Sequence, residues 1–214
     1  FSILGDMVER IGGEHIALTT LVGPDGDAHV YQPTPKAARS VAEADVLFMN
    51  GLEFEGWLER LAEAASFDGA MVVATTGVVP IAFEEHEDND HDEHDEHAGH
   101  DEHDEHAGHD EHAGHDHGTF DPHAWQSLDN AVIYANNIAA GLAQADPANA
   151  SEYYTNRAAF VAEIVALKSD IDAMMAALPA DKRTVVTPHD AFGYFAEAYD
   201  LTFEAPQGMS TESK

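Results

Sequence analysis

The residues best suited to chemistry in this sequence are histidines, and they fall into two sets. Outside one histidine-dense stretch there are four: His15, His29, His123 and His189. Three of them share a local context. His29 lies in Asp27-Ala28-His29-Val30-Tyr31-Gln32-Pro33-Thr34-Pro35, His123 in Asp121-Pro122-His123-Ala124-Trp125, and His189 in Thr187-Pro188-His189-Asp190-Ala191-Phe192. Each reads as a loop leading towards a helix, two of them after a readable strand, and open α/β sheets place ligands at the carboxyl ends of their strands. Neutral imidazole nitrogen is a borderline donor that zinc accepts at about 2.0–2.1 Å in tetrahedral geometry. Three imidazoles meeting at a cleft would therefore supply most of a zinc site. Taken singly, each would read as an ordinary surface or satisfied core histidine; the shared context is the argument for a joint role. His15 precedes a strand pattern and reads as surface polar.

The second set fills residues 84–118, where apolar side chains almost vanish. It comprises His86, His91, His94, His97, His100, His103, His106, His109, His112, His115 and His117, interleaved with carboxylates and with no Lys or Arg. The stretch from His91 to Gly99 recurs from His100 to Gly108, and a shortened copy begins at His109. Such a segment cannot build a core and is expected to be a disordered insertion. The bland alternative is a solvated acidic spacer, but a spacer has no need of imidazole at almost every third position. Ordering the segment around a cation costs about 1–2 kcal/mol per residue fixed, so it should bind zinc more weakly than a preformed cleft. Because imidazole must be neutral to bind, affinity at both places should fall as the pH drops through about 6.5.

Composition narrows the partners. Forty-one carboxylates against 9 basic residues give a formal charge of −32, which disfavours nucleic acid and anionic lipid and favours cations. With no cysteine, any metal site must use imidazole and carboxylate. No apolar run reaches the roughly 18 residues of a membrane span, so direct membrane insertion is not expected. The opening Phe1-Ser2-Ile3-Leu4, without an initiator Met, is expected to follow a removed start.

These histidines need a scaffold, and the pattern predicts an α/β one. In the first part, residues 5–12 read as a helix, 16–22 as a strand, 23–27 as a loop, 46–49 as a buried strand, 56–65 as a helix and 71–74 as a strand, the later connections being right-handed crossovers. Thr34 can cap a helix with Pro35 at its first position and Ala37, Ala38, Val41 and Ala42 at helical spacing. After the insertion, residues 128–143 and 149–178 read as helices separated by Pro147, the second closed by Pro179. A helix of about 30 residues spans roughly 45 Å, too long for one small lobe, and can serve as a spine between two. Residues 184–187, 192–199 and 201–204 then read as strand, helix and strand, the start of a second α/β lobe that stops at Lys214 unfinished. The expected division is 1–83 and 119–146 for the N-terminal lobe, 84–118 for the insertion, 147–180 for the linking helix and 181–214 for the start of the C-terminal lobe. Trp57, Phe48, Phe192 and Phe195 read as packing residues, and Met174 and Met175 as core filling on the long helix.

At the three histidine loops the sequence resembles the zinc and manganese solute-binding proteins of ABC importers. The resemblance is carried by Gly23-Pro24-Asp25-Gly26-Asp27-Ala28-His29-Val30-Tyr31-Gln32-Pro33-Thr34-Pro35, Asp121-Pro122-His123-Ala124-Trp125 and Pro188-His189-Asp190-Ala191-Phe192-Gly193-Tyr194-Phe195, and it covers essentially the whole chain. It implies two α/β lobes with parallel sheets, joined by a long backbone helix, with the metal in the cleft between them. It also implies that the first three ligands are His29, His123 and His189, the third being His in zinc members and Glu in manganese members. The family's fourth ligand, an Asp of the second lobe, falls beyond residue 214; water or a histidine or carboxylate of the insertion could take its place. Asp190, Trp125 and Tyr31 are expected around the ligands, Asp190 as a support and the two aromatics as walls. The resemblance further implies a monomeric, periplasmic, non-catalytic protein that takes Zn2+ and hands it to an ABC permease, with a periplasmic zinc chaperone as a further partner. The competing functions are a periplasmic zinc buffer or chaperone, a manganese-specific binding protein and a zinc hydrolase; the last would call for a Glu beside a ligand, as in His-Glu-x-x-His, which the sequence lacks.

Overall fold

The computed structural model describes residues 1–82 and 119–206. The eleven histidines of the insertion lie outside the described residues.

The chain opens with α1 (Ser2–Gly12), whose Leu4, Met7, Val8 and Ile11 recur at helical spacing and are all buried. Thr34 then caps α2 (Pro35–Ala42) by accepting the Ala37 N–H at 3.2 Å, as the Thr-Pro pair predicts. A parallel pair follows: β1 (Val46–Met49) and β2 (Ala70–Val73), joined through α3 (Leu58–Ala64) and registered from Val46 opposite Ala70 to Met49 opposite Val73. The helix expected from residue 56 starts two residues later, with Trp57 at its cap and buried.

After the undescribed stretch, Ser127 caps α4 (Leu128–Ala145) and α5 (Ala150–Ala176) runs for 27 residues, about 40 Å at 1.5 Å per residue. Its only buried residues are Tyr153 and Ile164, because it packs mainly near its start, against α4 and α1. A second parallel pair, β3 (Thr184–Val186) with β4 (Thr202–Glu204), encloses α6 (Gly193–Tyr199). This is the expected α/β architecture of two short parallel sheets and a long connecting helix. Phe192 and Phe195 are half-buried rather than central, packed on Phe203.

One expected element is absent. Residues 16–22 begin extended at Ile16 and bend at Leu21 and Val22, and among the described residues they join no ladder; an open groove of about 560 Å³ lies between residues 16–21 and β1. A composition rich in β-branched residues gives strand character, but a strand exists only where a neighbouring edge supplies hydrogen bonds, and that neighbour is not encoded locally.

One core joins α1, α4 and α5; another collects β1, α2, α3 and the approach to His29. Ile138, on α4, is fully enclosed in the first. Ile138→Ala should lower unfolding free energy by about 2–5 kcal/mol, since the cavity outweighs alanine's better helix propensity. Chemical denaturation checks this, and a loss below about 1 kcal/mol would contradict the packing described.

Candidate metal centre

His29, His123 and His189 come from three separate segments, and each is set by the residue two positions before it. Asp27 Oδ1 accepts the His29 backbone N–H at 2.9 Å, and Asp121 Oδ1 accepts that of His123 at the same distance. Both are aspartate side-chain turns of the kind that fix a loop locally. Thr187 Oγ1 instead donates to the His189 carbonyl at 3.0 Å. Tertiary contacts then fix the loops. The Trp57 indole N–H donates to the Ala28 carbonyl at 2.7 Å, tying down the approach to His29.

The His123 segment is anchored at the carboxyl end of β1. Asn50 Nδ2 donates to the Pro122 carbonyl at 2.8 Å, while Asn50 Oδ1 accepts from the Tyr134 hydroxyl at 2.5 Å. The buried Glu55 carboxylate accepts the backbone N–H groups of Asn50 and Gly51, and burial raises its pKa. The chain must turn sharply to bring Glu55 back. Gly51 has φ 90, and a Cβ there would lie 2.5 Å from Val73 Cγ1, so glycine is required on both counts.

These anchors bring the three rings together. His123 Nε2 stands 3.2 Å from His29 Nε2 and 3.2 Å from His189 Nε2. Among the described residues this trio is the one cluster with donor atoms all within 4.8 Å of one another. Two nitrogens on one tetrahedral zinc would stand roughly 3.3–3.4 Å apart, so the spacing fits a common cation. His123 is buried, and its Nδ1 lies 2.8 Å from Asp121 Oδ1. A carboxylate accepts but does not donate, so the imidazole proton sits on Nδ1 and the Nε2 lone pair faces the other two rings. Phe54 and Trp125 wall the trio, with ring centroids 4.7 Å from His29 and 5.3 Å from His123 respectively.

The expected neighbours divide. Trp125 lies directly against the His123 ring. Tyr31 packs at a tilt of 56° against Trp57, ring centroids 4.8 Å apart, one step removed from the histidine rings. Asp190 is half-buried beside His189, but the carboxylate that orients a ring is Asp121. Sequence reading did not single out Asp121, Asn50 or Phe54 for the site; the Asp-x-His pattern shared by residues 27–29 and 121–123 was the available signal for Asp121. His15 lies apart, paired with Glu152 at 2.9 Å.

Burial, followed by the neighbouring His123 imidazole, pushes the His29 pKa down to about 4, with Asp27 opposing. The expected transition near 6.5 therefore does not apply to this ring. Between pH 6.5 and about 4 the unfolded chain protonates His29 while the folded chain does not. The metal-free protein should accordingly lose stability as the pH falls through that window, with no further loss from this group below it. Urea midpoints at pH 7 and 4.5 for wild type and His29→Gln check this; an equal acid sensitivity in both would contradict it.

Fold and site together define a class: an α/β protein that gathers three imidazoles from distant segments into a half-buried trio suited to a divalent cation. The chain belongs to the ZnuA family, described as the periplasmic component A of the zinc-uptake complex, whose sequence pattern matches residues 1–214. Among curated relatives, it is 30% identical over 199 residues to the iron-binding protein YfeA of Yersinia pestis, covering 93% of this chain and 55% of the relative. It is 32% identical over 200 residues to the manganese-binding lipoprotein MntA of Halalkalibacterium halodurans, covering 93% and 56%. The chain thus spans a little over half the length of these relatives. A Mn-bound periplasmic metal-binding protein of Candidatus Liberibacter asiaticus superposes with a TM-score of 0.78 at 27% identity, covering 100% of this chain and 68% of the other. The periplasmic zinc-binding protein TroA of Treponema pallidum shares the fold, with a TM-score of 0.79 at 23% identity, covering 99% and 66%.

Proposed function

We propose that this protein captures zinc through His29, His123 and His189 and delivers it to an ABC permease for import, acting outside the cytoplasm as a monomer and without catalysis. One observation carries the reading: three imidazole nitrogens converge, and the central one is held with its lone pair inward by Asp121. Zinc is the cargo, so the site must bind it and release it.

The manganese reading has its own support, since relatives are named manganese-binding or iron-binding. The donor set favours zinc, because manganese prefers oxygen ligands and higher coordination numbers than three imidazoles supply. Competition titration decides, together with diffraction from zinc-soaked crystals at the zinc edge. A zinc peak bonded to the three Nε2 atoms and a preference for zinc over manganese are expected; tighter manganese binding would overturn the specificity. The histidines from His86 to His117 enter the proposal as an auxiliary, weaker zinc-collecting or sensing element. Deleting residues 84–118 should remove the weak zinc equivalents and leave the tight one. Among the described residues no helix is long and apolar enough to cross a membrane.

A further inference from the structure

Tyr194 sits in the first turn of α6, beyond the long helix, and is buried. Its hydroxyl reaches into the other half of the molecule. It donates to the Asp121 carbonyl at 2.8 Å and accepts the Ile81 N–H at 3.2 Å. Those two partners are themselves paired, the Asp121 N–H donating to the Ile81 carbonyl at 2.9 Å, and beside them Ala82 and Phe120 form an antiparallel bridge. One hydroxyl therefore spans both strands at the neck of the insertion. The same Asp121 orients His123 through its side chain. The approach of α6 is close as well: a Cβ at Gly193 would lie 2.6 Å from Asp121 Oδ2. His189 precedes this helix by a few residues.

We propose that Tyr194 is a positioning residue that fixes the His123 segment and the insertion neck against the element carrying His189, and so sets how fast the trio releases its metal. The proposal rests on the capture reading. Its physical basis is that Tyr194 donates to the very residue that holds His123, so removing the hydroxyl strips a partner from the buried Asp121 carbonyl and from the half-buried Ile81 N–H across the neck, while leaving the ring to pack.

Tyr194→Phe tests this, with Tyr153→Phe as control. Tyr153 is also buried and donates to Asp146 at 2.8 Å, so it loses a comparable hydroxyl away from the trio. Zinc affinity is read by chelator competition, dissociation by chelator chase, and the Ile81 amide by hydrogen exchange with and without zinc. Tyr194→Phe should weaken zinc binding by about five- to tenfold, mainly through faster dissociation, and should speed exchange at Ile81. Tyr153→Phe should change neither. Wild-type dissociation in Tyr194→Phe, unchanged Ile81 exchange, or an equal effect from Tyr153→Phe would each overturn the proposal. Failure of the wild type to take up zinc would overturn the capture reading instead, and metal-free exchange at Ile81 would still decide whether the hydroxyl holds the neck.

Discussion

Replacing His123 with alanine should remove the tightest zinc equivalent. A four-ligand zinc site contributes about 10–16 kcal/mol in apparent binding free energy, so one ligand accounts for about 2.5–4 kcal/mol, or roughly 10²–10³-fold in affinity. His123 should lie at the upper end. It is the ring at 3.2 Å from both others, and it is buried with its tautomer already set, so its loss also separates the remaining pair. His29→Ala and His189→Ala should follow with losses of the same order or smaller. Titration against a calibrated chelator measures all three. A His123→Ala protein that kept its tight equivalent would end the three-imidazole account, and a weak equivalent surviving in every variant would be assigned to the insertion.

The second large effect should come from a residue that touches no metal. Asp121 is fully enclosed, and its Oδ1 accepts both the backbone N–H and the ring Nδ1–H of His123. Removing a carboxylate behind a ligand histidine commonly costs about 10–100-fold in metal affinity, since the ring loses both its orientation and some basicity. Asp121→Ala should show that loss. Asp121→Asn keeps an acceptor for Nδ1–H but not the charge, so it should fall between alanine and wild type. The ordering is the test: an asparagine variant as weak as alanine would assign the effect to charge alone, and wild-type affinity in Asp121→Ala would remove Asp121 from the site.

Features encoded within a few residues were readable in advance. Thr34 with Pro35 announced α2, Pro147 and Pro179 bracketed α5, and the short apolar run from Val46 to Met49 marked β1. Where an element depends on a distant neighbour the reading was weaker. Residues 16–22 have strand composition, but their ladder partner is not a property of those residues. The site divided the same way. The repeated local contexts around His29, His123 and His189 made the trio legible. Asn50 was not, because it acts on the Pro122 carbonyl 72 positions away, and nothing near an asparagine after a strand reveals that target. Tyr194 reads as one aromatic among several until its hydroxyl is seen between Ile81 and Asp121.

The bridge between Ala82 and Phe120 brings the two ends of the intervening stretch together before Asp121 begins its work on His123. With the ends already joined, the number of residues between them matters little to the folded body, because the entropy of closing a loop grows only with the logarithm of its length, about 0.6 kcal/mol per doubling. The body that holds Asp121 and His123 should therefore tolerate a longer or shorter stretch between residues 82 and 120, with its unfolding midpoint moving little.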